Sequence, residues 1–97
     1  MKRRNTQTIG EVLKGFLEEH PELHEKILEI RVQRGWGEIL GPMIRQYTRN
    51  IYIKNHVLYV SLTSSVLRNE LTLNREKLIK SLNDYAAAEV IHDIVIR

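Results

Sequence analysis

Near residue 50 the spacing of apolar residues changes from about 3.6 to 2, and that change limits the folds open to the chain. Ahead of it, Ile9, Val12, Leu13, Phe16 and Leu17 fall on one helical face. After it, Ile51-Tyr52-Ile53 and Val57-Leu58-Tyr59-Val60-Ser61-Leu62 alternate around Lys54-Asn55-His56, as the strands of a hairpin do. Helices followed by a hairpin in 97 residues leave room for one small core. A catalytic barrel or a doubly wound sheet does not fit.

Thr8-Ile9-Gly10-Glu11 has the spacing of a capping box, so a first helix starts at residue 9 and reaches about His20. Pro21 ends it and opens a second helix to about Leu40. That helix carries two stripes, Leu23, Ile27 and Ile30 for the first helix and Leu28, Val32, Trp36 and Ile39 for a sheet. Trp36 is a core anchor, and Gly35 and Gly37 beside it admit close backbone contact. Gly41-Pro42 punctuates, and residues 43–47 add a helical turn. In the hairpin a two-residue loop at Asn55-His56 pairs Tyr52 with Tyr59, a loop at Lys54-Asn55 would change the pairs, and either turns Ile51, Ile53, Leu58, Val60 and Leu62 to the core. Thr63-Ser64-Ser65 caps a third long helix with a stripe of Leu67, Leu71, Leu78, Leu82 and Tyr85, ending near residues 86–88. Residues 90–96 form the last strand, parallel to a hairpin strand through a right-handed crossover. The order α-α-β-β-α-β gives an α+β fold of two layers, a three-stranded mixed sheet with helices on one face.

Charge is unevenly spread. Residues 1–10 hold three cations and no anion, so residues 1–7, with Lys2, Arg3 and Arg4, read as a flexible basic arm on a domain of residues 8–97. Residues 11–30 set six glutamates against Lys14 and Lys26; residues 31–80 set nine Lys or Arg against three Glu. The basic middle favours a polyanion. Thiolate chemistry is excluded by the absence of cysteine. No stretch reads as a membrane span or secretory signal, and the chain reads as cytoplasmic. His20 and His24 have a helical metal-ligand spacing, but Pro21 lies between them and no third ligand follows, so His20 reads as a cap and His24 as a surface residue. His56 and His92 read as isolated structural residues. Ser64 and Ser65 lack a base and read as caps. Neither an enzyme nor a cofactor or metal is expected.

The aromatic residues say more. Tyr52 and Tyr59 share the outward face of the hairpin with Lys54, and Arg45 and Arg49 lead into the first strand. Exposed sheet aromatics beside cations stack single-stranded bases in several modules. A plain cross-strand tyrosine pair is the structural alternative. Arg68 and Arg75 extend the basic surface. A rival reading is a protein-interaction module that homo-oligomerises through the edge of its last strand.

Trp36-Gly37-Glu38-Ile39-Leu40-Gly41-Pro42 resembles the Trp-x-x-(Ile/Val)-(Val/Leu)-Gly-Pro signature of the bacterial DciA family. Leu58-Tyr59-Val60, Ser64-Ser65 and Glu70-Leu71 resemble its second block, and Ile91, Ile94 and Ile96-Arg97 its last strand. Leu67 stands where the family often has an aromatic residue, and His56 where it often has Gly. The resemblance implies a domain similar to the K-homology fold, though without that fold's Gly-x-x-Gly loop. It also implies binding of DNA, single-stranded or forked, ahead of RNA, and a role in loading the replicative helicase. Longer members carry a tail associated with helicase contact. This sequence closes at Arg97, so that contact is expected on the folded domain, at Glu18, Glu19, Glu22, Glu25 and Glu29. An RNA-binding module of K-homology type and a homodimer remain the alternatives.

Overall fold

The computed structural model describes residues 8–97. Its elements are α1 (Ile9–Glu18), α2 (Pro21–Leu40), α3 (Pro42–Tyr47), β1 (Thr48–Lys54), β2 (Val57–Leu62), α4 (Ser65–Leu73), α5 (Arg75–Ala86) and β3 (Asp93–Ile96). The fold is α+β, with five helices and a mixed three-stranded sheet among the described residues. β2 is central, antiparallel to β1 and parallel to β3.

Local signals explain most boundaries. The Thr8–Glu11 capping box forms in both directions, at 3.0 and 3.1 Å. Ser64 Oγ accepts the N–H of Leu67 at the start of α4. Gly41 has φ +94°, a conformation glycine adopts without cost, and Pro42 then opens α3. The hairpin has the expected register, Tyr52 opposite Tyr59 and Ile53 opposite Leu58. Asn55 and His56 both take positive φ, 52° and 64°. His56 occupies a glycine-like position because tertiary contacts hold it: its Nδ1 lies 3.0 Å from the Val90 carbonyl.

The core joins Val32 and Trp36 of α2, Leu58, Val60 and Leu62 of β2, Leu71, Leu78 and Leu82 of α4 and α5, and Val90, Ile91 and Ile94. Trp36 is 2% exposed. Its Nε1 donates to Thr48 Oγ1 at 3.0 Å, and that hydroxyl donates to the Ile44 carbonyl at 2.8 Å. Two hydrogen bonds thus tie α2, α3 and the start of β1 to one indole. The flanking glycines admit close neighbours: a Cβ on Gly35 would lie 2.9 Å from the Tyr85 ring, and one on Gly37 2.5 Å from Arg45 Nε.

Four expectations need correction. The third long helix is two, α4 and α5. Thr72 Oγ1 and Asn74 Nδ2 bond the carbonyls of Arg68 and Glu70, and such side-chain bonds compete with helix continuation. The last strand begins at Asp93; Val90 and Ile91 are buried in an irregular segment whose backbone is bonded by the Asn83 amide. His20 makes no side-chain cap; its ring lies 4.3 Å from that of Phe16. His56 and His92 are not isolated, their rings being 5.1 Å apart, with Glu25 3.6 Å from His56 Nε2.

The largest departure is α1. Only Leu17 of its stripe is buried, while Ile9 is 86%, Val12 54%, Leu13 45% and Phe16 47% exposed. Leu23 and Ile30, on the α2 stripe expected to meet it, are exposed as well. The main partner of α2 is α5, and the sheet, expected to cover its other stripe, meets it only slightly. The molecule is 57 Å long against 26 and 21 Å, and its radius of gyration is 16.6 Å. A compact 100-residue domain has about 13 Å. α1 and the first turns of α2 form an arm reaching beyond the core, while the rest of α2 packs within it.

Replacing Thr48 by Val keeps the shape and removes the acceptor for a buried indole N–H. Urea unfolding of Thr48→Val is expected to show a loss of about 1–3 kcal/mol, and an unchanged midpoint would remove the indole anchor from the explanation of this fold.

Candidate nucleic-acid interface

Strand alternation sets nine residues on the sheet face away from the core. Lys54, Val57 and Asp93 lie at the hairpin end, Tyr52, Tyr59 and Val95 across the middle, and Asn50, Ser61 and Arg97 at the far end. No residue in the middle row is buried.

The two tyrosines are stacked on each other, ring centres 4.9 Å apart and planes 10° apart. They are therefore not laid flat on the sheet as a two-ring platform. Arg97 completes the group: its guanidinium carbon is 5.2 Å from the Tyr59 ring centre and its Nη2 donates to the Tyr52 hydroxyl at 2.9 Å. Tyr59 thus has the Tyr52 ring on one side and the arginine against it. Tyr52 is on the edge strand β1, with no strand beyond the other side of its ring. The surface offers one aromatic face, a clasped arginine and Lys54 two residues along the same strand.

The expected cations divide by this geometry. Lys54 is exposed beside Tyr52. Arg49 is exposed at an irregularity between Thr48 and Asn50, opposite the end of β2. Arg68 reaches that end too, its Nη1 donating to the Leu62 carbonyl at 2.9 Å. The backbone carbonyl of Arg97 accepts from Leu62 N–H at 2.7 Å. Arg49, Arg68 and Arg97 are thereby gathered at one end of the sheet. Arg45 and Arg75 are drawn elsewhere: Arg45 lies over Gly37 and 3.6 Å from Glu38, in a cleft with Arg34 and Trp36. Arg75 lies 3.6 Å from Asp93. Among the described residues Arg49, Lys54, Arg68 and Arg97 have no carboxylate within ion-pair distance. Lys2, Arg3 and Arg4 lie outside the described residues.

Sequence reading missed Arg97. Outward alternation from Ile94 and Ile96 put it on the tyrosine face, but only the parallel register with β2 sets it beside Tyr59. On the same strand, the Ile94 N–H is taken by the Asp93 carboxylate at 2.8 Å, and Arg75 sits on that carboxylate, so the β3 edge is partly occupied by its own side chains.

Of the acidic residues, Asp93 lies on this face and Glu25 reaches the hairpin turn at His56. Glu18, Glu19, Glu22 and Glu25 are exposed and Glu29 half-exposed on the α1–α2 arm. No group of three His, Asp or Glu able to hold a metal occurs among the described residues, and none of their helices is long and apolar enough to cross a membrane.

The model of one protein family, described as "Dna[CI] antecedent, DciA", matches residues 8–96. No curated protein matches the chain.

The stacked tyrosines contribute to stability apart from any ligand. A double-mutant cycle of Tyr52→Ala and Tyr59→Ala is expected to give a coupling of about 0.5–1.5 kcal/mol in urea unfolding. Additive effects would mean that the rings do not meet in solution.

Proposed function

The chain belongs to the DciA family, and from that premise we propose that it is a cytoplasmic DNA-binding accessory of bacterial replication that grips single-stranded or forked DNA on the open face of its sheet. Membership connects the chain to DNA replication and to loading of the replicative helicase; the family is one of helicase accessories and not of known catalysts. The DNA-binding reading is carried by one observation: Tyr52, with Arg97 on its hydroxyl, stands on an open sheet face between Lys54 and the Arg49–Arg68–Arg97 corner.

Each part suits a single strand. A base has a π-face of its own to lay on the free side of Tyr52, and such stacking contributes about 1–3 kcal/mol per base. Arg97 is held by the tyrosines in a geometry where its remaining guanidinium N–H groups are donors for a phosphate or a base edge. From Asn50 to Lys54 the strand spans about 13 Å, room for about two nucleotides. Duplex DNA presents neither exposed bases for the ring nor a groove matched to a three-stranded sheet, which favours single-stranded and forked substrates.

Opposite charge on the sheet corner and on the arm supports a division of labour. The basic sheet takes the nucleic acid, and the arm with Glu18, Glu19, Glu22, Glu25 and Glu29 is turned to the helicase, whose approach along DNA it does not obstruct.

Binding of labelled single-stranded, forked and duplex DNA and of RNA across a salt series tests this. With four cations engaged, the log–log salt slope on single strands is expected at about −3. Tyr52→Ala is expected to cost about 1–3 kcal/mol of affinity for single strands, and Tyr52→Phe much less. The triple variant Arg49→Glu, Lys54→Glu and Arg97→Glu is expected to weaken binding to every sequence, and Arg45→Glu to matter less. Undiminished affinity in the triple variant, or a preference for RNA, would refute the reading.

A further inference from the structure

The α1–α2 arm pairs two features. Its Thr8–Glu11 box closes a regular helix, yet that helix leaves Ile9, Val12, Leu13 and Phe16 in solvent. Leu23 and Ile30 of α2 are exposed on the same arm. An apolar stripe at i, i+3, i+4 and i+7 is the pattern of a helix with a packing partner, and single scattered apolar residues are not. On the arm Glu11, Glu18, Glu19 and Glu22 are exposed, against Lys14 and Lys26. The arm is an apolar seam with an acidic rim.

That rim decides what covers the seam. A second copy docked about a two-fold axis would bring two surfaces of the same negative sign together, and like charges across an interface disfavour the pair. A strand or an acidic helix would leave either the stripe or the glutamates unmatched. We propose that α1 is the docking face for an amphipathic helix of another protein, whose own apolar stripe is flanked by Lys or Arg. The apolar seam supplies the affinity, and the glutamates supply orientation and association rate. The proposal deepens the helicase reading and rests on it only in naming the replicative helicase as the natural carrier of such a helix.

Two probes separate the docking face from its carrier. The first is a synthetic Leu/Lys helix of about 18 residues, with leucines at i, i+3, i+4 and i+7, measured by fluorescence anisotropy against a scrambled peptide of equal composition. The second is the replicative helicase of the same bacterium. Both are titrated with the full chain and with the double variant Val12→Ser and Phe16→Ser. These positions are exposed, so the variant is expected to keep its urea midpoint and its DNA affinity. The helix is expected to bind more tightly than its scramble and to persist in high salt. The double variant is expected to lose at least about tenfold in affinity for helix and helicase alike. Equal binding of helix and scramble, or a helix affinity the variant does not change, overturns the docking face. Binding of the peptide at α1 with no helicase association leaves the docking face standing and refutes the helicase as its carrier. Helicase association indifferent to the variant means that the helicase binds elsewhere, and likewise refutes it as the carrier. Light scattering completes the test: a monomer at all salt concentrations is expected, and a dimer dissolved by the double variant would show that a second copy covers the seam.

Discussion

One buried indole organises this small fold. Trp36 lies between α2, the α3 turn and the start of β1, and its N–H is satisfied by Thr48, whose own proton goes to the Ile44 carbonyl. In a domain of this size the core is marginal, so a large buried ring with its polar atom bonded both stabilises and specifies. Gly35 lets the Tyr85 ring approach α2, and Gly37 does the same for the Arg45 side chain. Gly41 takes the positive φ that turns the chain into α3, and Pro42 starts that helix. The seven residues 36–42 thus set where β1 begins and hence the position of the hairpin. The surface with the tyrosines follows from an anchor on the other side of the sheet.

The chain separates its charges along its length, and the fold keeps much of that separation. The acidic first helices form an extended arm, while the basic middle is wound around the sheet. Cations with carboxylate partners, Arg45, Arg75 and Lys80, are on or beside the helices. On the sheet and at its far end, Arg49, Lys54, Arg68 and Arg97 have none among the described residues.

Much of this was legible in the sequence, and the remainder was hidden for physical reasons. The inward and outward faces of the hairpin followed from alternation, while its register depended on which two residues form the turn, and the structure has Asn55 and His56 there. Thr8 and Ser64 were readable as caps because capping is a local hydrogen bond. The break at Asn74 was missed because Leu71 and Leu78 keep helical spacing across it, while the competing side-chain bonds are seen only in three dimensions. The period of α1 identified its apolar face correctly but carries no information on whether anything covers that face. Arg45 was grouped with the tyrosines through its nearness in sequence to β1; the α3 turn carries it to Gly37 instead. Arg97 could be placed on the outer face by alternation, but its contact with Tyr52 depends on a pairing between residues 45 positions apart.

The central claim is that nucleic acid lies on the open sheet face. Backbone and side-chain NMR of the isotope-labelled chain, titrated with a short oligothymidylate, tests it residue by residue. Shifts are expected at Arg49 to Lys54, Val57 to Ser61, Arg68 and the Arg97 guanidinium, with the α1 stripe silent. Shifts concentrated in the Arg34–Arg45 cleft or on α1, with Tyr52 and Arg97 unmoved, would contradict it.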